Sequence, residues 1–289
     1  CSSDLVEEDF FQDILEADAE PPIITEQPVD IEDGVIGEYG YFTVKAQNVE
    51  KYRWEVSKDK GETWEDSDGT GKKTENLRKL VTRNKSRFIY RCRLTGEDGS
   101  TIYTDEVVMK IPAVIEVQPE DYVADDLREY AAFDIYSSNA KSLRWQVSKD
   151  GGETWHNCVA GTGVGKRTFE IKVTTKTVDY LYRCRGRGWN SPDVYSDVVK
   201  IAAAFFAVDG IFYKPLAEDE AVVTGYARED EELVIPMNVE NEGQTYTVSG
   251  IGAKAFYGKK TLASVEIPST VVQIGDYAFR YCPALKRLY

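Results

Sequence analysis

The most constraining feature of this chain is that it repeats itself, at two different periods. YRWEVSKDKGETW at 52–64 returns as LRWQVSKDGGETW at 143–155. Trp54 to Trp145 and Trp64 to Trp155 are each 91 residues apart, and YRC at 90–92 returns as YRC at 182–184, 92 residues on. Gln27-Pro28 and Gln118-Pro119 keep the offset of 91. A duplication at this spacing predicts two homologous units, 21–111 and 112–203, each the size of a small β-sandwich. A chain of 289 residues has room for both and for a third part.

Within each unit the apolar residues alternate with a period of two. Phe42, Val44 and Ala46 fall on one face of a run, Tyr52, Trp54 and Val56 on one face of the next, and Phe88, Tyr90, Cys92 and Leu94 on one face of a third. Short alternating runs between Gly, Asp and Ser turns predict antiparallel strands with one buried face. The order of these residues resembles the immunoglobulin-like sandwich. Trp54 and Trp145 stand where that fold buries its strand-C tryptophan. Tyr90 and Tyr182 each precede a cysteine by two, as in its tyrosine corner. Phe42 and Phe133 occupy the place of the partner cysteine, so the resemblance implies no inter-sheet disulfide and reduced Cys92 and Cys184. It is a resemblance to immunoglobulin-like repeats of bacterial surface proteins. The expected structural core comprises Trp54, Trp64, Tyr90, Cys92, Trp145, Trp155, Tyr182 and Cys184.

Two octamers, SKDKGETW (57–64) and SKDGGETW (148–155), match the Asp-box of sialidases, Ser-Xaa-Asp-Xaa-Gly-Xaa-Thr-Trp. Propeller blades recur every 40–50 residues or so and number at least about four, whereas these octamers occur twice, 91 apart. No arginine cluster with a tyrosine nucleophile can be assigned beside them. They are read as hairpin staples, in which Asp59 or Asp150 accepts backbone N–H bonds and Trp64 or Trp155 packs over the turn.

The last third has a shorter period. IGAKAF (251–256) returns as IGDYAF (274–279), and Leu262 to Leu285 and Val265 to Leu288 keep the same 23 residues. That period is the one of leucine-rich repeats. VEIPSTVVQIGDYAFRYCPALKRLY resembles the BspA-type repeat of bacterial surface proteins, with its IP…V..IG..AF..C..L order. Leu233-Val234-Ile235-Pro236 starts an earlier turn, lengthened by a hairpin around Glu242-Gly243. Two runs, 208–213 and 221–226, read as a hairpin that caps the first turn, because an open solenoid end exposes apolar surface. The chain stops in the strand-like run Leu285 to Tyr289, which is read as the edge of a fragment. The expected architecture is therefore mainly β: two tandem immunoglobulin-like sandwiches, then a hairpin-capped leucine-rich repeat segment over 204–289.

Residues 1–20 hold eight acidic residues and no basic one, and are read as an acidic linker in which Phe10, Phe11, Ile14 and Leu15 could share a helix face. Cys1 followed by Ser2, Ser3 and Asp4 looks like the start of a mature bacterial lipoprotein, with Cys1 as the lipid anchor; a fragment boundary explains it equally.

The charge balance and the sparse histidine narrow the function. Lys and Arg number 35 against 50 Asp and Glu, a net −15, which argues against a nucleic-acid partner. The longest apolar run, Ile201 to Val208, is eight residues, short of the ~20 that span a bilayer. His156 is the sole histidine, and the five cysteines show no metal-ligand spacing. His156 and Cys158, two apart on a strand, could touch but lack an orienting third group. GTGVGKRT (161–168) has the wrong spacing for a phosphate loop, and Asp66-Ser67-Asp68-Gly69 lacks the bidentate Glu of a calcium loop. No catalytic set, metal or cofactor is expected.

Two surfaces remain as candidates for ligand contact. Arg187 and Trp189 lie in a loop, Gly186 to Pro192, where the first unit has only Gly96 to Ser100. Trp189 either offers an exposed platform for a protein or a sugar ring, or folds onto its own sandwich or the neighbouring domain. Tyr257, Lys259 and Tyr281, with Lys260 and Arg280, lie in equivalent loops of the repeats. The resemblance implies a non-catalytic adhesion or ligand-recognition protein, extracellular or on a bacterial surface, acting on a protein partner. The alternatives are a glycan-binding module and, further off, a sialidase relative.

Overall fold

A computed structural model describes residues 20–289; Cys1 and all of the proposed acidic linker but Glu20 lie outside the described residues. Among the described residues, regular structure is all strand apart from two single-turn 3-10 helices, Lys85–Arg87 and Thr177–Asp179.

In the first sandwich Val49–Ser57 lies antiparallel between Glu65–Asp66 and Ile89–Gly96, and the latter also pairs with Thr101–Tyr103 and Val107–Val108. Trp54 is opposite Cys92 and Val56 opposite Tyr90, so strand alternation sends these four side chains to one face. Facing them, Tyr39–Thr43 pairs with Asn76–Leu80 and sets Phe42 opposite Leu77. The Phe42 ring lies 6.1 Å from Trp54 and 5.1 Å from Tyr90, all three fully buried. Phenylalanine thus fills, by aromatic packing, the place at which the antibody-type domain puts a disulfide.

The second sandwich repeats this arrangement. Tyr130–Asp134 pairs with Thr168–Lys172, Phe133 meets Phe169, and Phe133 lies 6.1 Å from Trp145 and 5.3 Å from Tyr182. Cys92, Cys158 and Cys184 are buried free thiols, and burial pushes the first two up to about 12 and Cys184 to about 11.

One difference between the two cores is a charge. Where the second has the apolar Ile171, the first has Lys79, whose side chain is 1% exposed. Its amine donates to Asp68 and to Ser67 Oγ (3.4 Å) and stands 5.3 Å from the centroid of Tyr90. Tyr90 Oη is buried without a partner, whereas Tyr182 Oη donates to Thr177 O at 3.4 Å. Burial lowers the Lys79 pKa, with the Asp68 hydrogen bond opposing it. A lysine pulled down in the fold is penalised for its charge at neutral pH, so Lys79→Ile should raise stability by about 1–3 kcal/mol. The urea midpoint of the variant reads this, and a fall in midpoint would show that the ion pair outweighs its desolvation.

The repeat segment changes from antiparallel to parallel pairing on a single strand. Glu220–Tyr226 pairs antiparallel with Ile211–Pro215 on one side and parallel with Gln244–Ile251 on the other. The hairpin thereby closes the edge of the parallel sheet, which Gln273–Ile274 continues. Asn238–Asn241 folds back on Gln244–Ile251 through Glu242 and Gly243, both at positive φ (51° and 83°), the geometry a two-residue hairpin turn demands. A second sheet stacks Glu232–Val234, Ser264–Glu266 and Arg287–Leu288 in parallel, with Leu233, Val265 and Leu288 in register. Inside, Phe256 and Phe279 stack at 5.0 Å and 3°.

By compactness the chain divides into two units. One runs through Val117 and adds Tyr136–Leu143 and Arg185–Tyr195; the other holds Gln118–Ile135, Arg144–Cys184 and Ser196–Tyr289.

Candidate functional site

The two Asp-box hairpins are saturated by their own turns. Asp59 accepts from Thr63 N (2.9 Å), Thr63 Oγ1 and Ser57 Oγ (2.7 Å), while Gly61 N donates to Ser57 Oγ (2.7 Å). Asp150 repeats every one of these bonds with Thr154 and Ser148. The Thr63 hydroxyl and amide, then Ser57, hold Asp59 down to about 2, and Asp150 is likewise held far below the carboxylate range. Such carboxylates stay ionised and have no proton to offer a substrate. Trp64 and Trp155 are half-buried outside the two aromatic cores, each under a guanidinium: Arg91 at 3.9 Å and Arg183 at 4.1 Å.

The remaining catalytic candidates do not assemble. His156 is exposed and Cys158 buried, because the strand ends at Asn157 and the alternation breaks there. In the 161–168 loop a Cβ on Gly163 (φ 74°) would meet Thr168 O at 2.0 Å, so the glycine serves a tight turn and leaves no cradle for a phosphate. Asp66 is held by Arg53, and Asp68 by Lys79 and Lys85. Among the described residues no group of three or more His, Cys, Asp or Glu side chains could hold a metal ion.

Trp189 is fastened rather than offered. Its backbone N–H and C=O exchange 2.8 Å bonds with Ile111, and its half-buried ring packs against the core cluster of Phe42 and Trp54. The charged ends of Arg87 and Lys141 lie 5.5 and 5.1 Å from the ring centroid, and Nε1 is buried without a partner. Gly188 permits the approach, since a Cβ there would meet Ile111 O at 2.3 Å. Arg187 is exposed but engaged, with Nε 3.0 Å and Nη2 3.3 Å from the two oxygens of Asp193.

The loops of the repeats bring more together. Tyr257 and Tyr281 meet edge to face at 5.3 Å and 88°, and Tyr281 is 60% exposed. Arg280 lies 4.8 Å from the Tyr277 ring and 4.9 Å from the Tyr281 ring, and its Nη2 donates to Tyr281 Oη at 3.2 Å. Lys259 is turned inward, donating to Arg228 O (2.9 Å) and Glu229 (3.0 Å). Sequence reasoning missed Tyr277, which is 56% exposed. Its signal was the period itself: Tyr277 falls 23 after Lys254, and both sit at positive φ (59° and 58°). Residues 251–289 carry six Lys or Arg against two Asp or Glu, net +4 in a chain of net −15.

Residues 238–289 match the family model "BspA type Leucine rich repeat region (6 copies)". A leucine rich cell surface protein from Faecalibacterium prausnitzii is 35% identical over 29% of this chain and 22% of its own, with a TM-score of 0.28. A leucine-rich repeat protein from Bacteroides capillosus is 30% identical over 29% of this chain and 64% of its own, also at 0.28. Extracellular domains 3–5 of Drosophila OTK are 15% identical over 64% of this chain and 62% of that one, at 0.42. The chain thus spans less than two thirds of the length of these relatives. The comparison with curated proteins returned no match. No helix among the described residues is long and apolar enough to cross a membrane. Strand order and repeat match define the class: an all-β protein with two immunoglobulin-like sandwiches and a capped BspA-type leucine-rich repeat segment.

Proposed function

We propose that this is a non-catalytic recognition protein of a bacterial surface or its surroundings, which holds a protein partner on the loops of its repeats. Units 21–111 and 112–203 would then present the repeat segment, and a lipid on Cys1 would tether the whole. The observation that carries the reading is the ordered patch of Tyr257, Tyr277, Arg280 and Tyr281. Tyr and Arg are enriched at interface hot spots because a rigid amphipathic ring or a planar cation gives much contact for little lost entropy. The Faecalibacterium relative is described as a cell surface protein, which supports the location.

The test is a screen of immobilised secreted and cell-surface proteins with the full chain, each binder being retested with Tyr257→Ser/Tyr281→Ser. A drop in affinity of at least about 30-fold is expected, the ~2 kcal/mol of one hot spot. Binders that hold the double variant as tightly as the parent chain would move the interface off the repeats.

A further inference from the structure

We propose that the cleft bounded by the loop 126–128, residues 172–175 and the first repeat turn binds a carboxylated sugar, a uronate or sialate of one or two rings. All of its walls lie within the second compact unit. Its volume is about 480 Å³, inside the roughly 300–1,000 Å³ usual for small-molecule sites.

The charge of the lining is one-sided once the paired groups are set aside. Asp126, the one carboxylate among the lining residues, is clasped by Arg128 through both its oxygens. Lys259 is occupied by Arg228 O and Glu229. Lys172 and Lys254 are exposed and have no ion-pair partner among the described residues. They come from positions 82 apart, one from the strand Thr168–Lys172 and one from a repeat loop whose Lys254 N–H is fixed on Asp276 O at 2.9 Å. Two free ammonium groups around one cleft are the counter-charge a carboxylate needs. The net −15 of the chain does not cancel them, because at 0.15 M salt a field decays over about 8 Å and nearby charges dominate.

The rest of the lining suits a sugar. Tyr257, 45% exposed, supplies an aromatic ring for the C–H side of a pyranose, and Thr175 and Thr224 stand at the wall, the Thr224 hydroxyl donating to Phe212 O at 3.4 Å and so left to accept from a sugar OH. The cleft is also preformed. Arg128 Nη2 donates to Thr224 O at 3.3 Å, and Lys214 pairs with Asp125 at 2.8 Å, so the 125–128 loop is fixed to the cap on both sides. The ligand differs from the protein partner proposed above, and only Tyr257 is shared with that patch.

Calorimetric titration of the full chain with glucuronic acid and N-acetylneuraminic acid tests this, with glucose and N-acetylglucosamine as uncharged counterparts and hexaglutamate as the acidic peptide. Saturable binding is expected for at least one acid, at least about tenfold tighter than for its neutral counterpart and weakening with salt. Lys172→Gln and Lys254→Gln should each cost about tenfold, while Lys286→Gln, at an exposed lysine that does not line the cleft, should change nothing. The proposal is overturned by no saturable acid binding, by equal affinity for neutral sugars, or by indifference to both lysine variants. Hexaglutamate binding more tightly than either sugar acid would assign the cleft to a peptide instead. Loss of protein capture at Tyr257 and Tyr281 leaves the lysine comparison intact, so the two readings fail separately.

Discussion

Trp54→Ala should unfold the first sandwich or leave it barely folded, with a loss of about 3–5 kcal/mol. The indole is fully buried between Phe42 and the strand Ile89–Gly96, and its Nε1 donates to Thr74 O at 3.0 Å. Truncation therefore opens a cavity in the aromatic core and leaves a carbonyl without its donor, two costs that add. Against a domain stability of ~5–15 kcal/mol, such a loss is a large fraction. Hydrogen exchange of the Val49–Ser57 and Ile89–Gly96 amides should accelerate together, while the amides of Gln244–Ile251 keep their protection. Trp64→Ala is the control: that half-buried ring lies on the outer side, under Arg91, and its loss should cost about 1 kcal/mol. Equal losses for the two variants would show that the aromatic core carries no special share of the stability.

The difference between these two tryptophans marks how far the sequence could be read. Duplication placed both in a hairpin-bearing sandwich, and period two put Trp54 inside, because alternation is a local rule that the strand itself enforces. Trp64 lies beyond the end of its strand, where that rule stops, and only the fold shows it beneath an arginine. The Glu242-Gly243 hairpin was legible for the same reason as Trp54: its two positive-φ residues are adjacent in the chain.

What was not legible depends on partners far apart in sequence. Alternation through Asn76–Leu80 puts Lys79 beside the buried Leu77, yet the charge argues for solvent; Asp68, eleven residues earlier, is what lets the amine go inward. The packing of Trp189 turns on Ile111, 78 residues away, through a backbone pairing that leaves no trace in composition. Lys172 and Lys254 look like ordinary surface lysines in the chain; their meeting at one cleft is a property of packing alone. Core positions are thus written locally, and sites are written by convergence.

Phe256→Ala should have the second of the two largest effects, and a different reach. Phe256 is fully buried, stacked on Phe279 at 5.0 Å and tilted against Tyr226 at 6.2 Å. It joins the cap strand on one side to the next repeat on the other, so about 3–5 kcal/mol is lost at the contact through which the turns support each other. In a solenoid each turn is stable only against its neighbours, and the loss should travel outward to Gln273–Ile274 and Arg287–Leu288. Phe279→Ala removes one side of the same stack and should cost less, because that ring is only half-buried. Hydrogen exchange separates the cases. In Phe256→Ala the Gln244–Ile251 and Ser264–Glu266 amides lose protection together, and in Phe279→Ala only the residues after Gln273 do. If Phe256→Ala left Ser264–Glu266 protected, the turns would be stable singly and the hairpin would be ornament rather than cap.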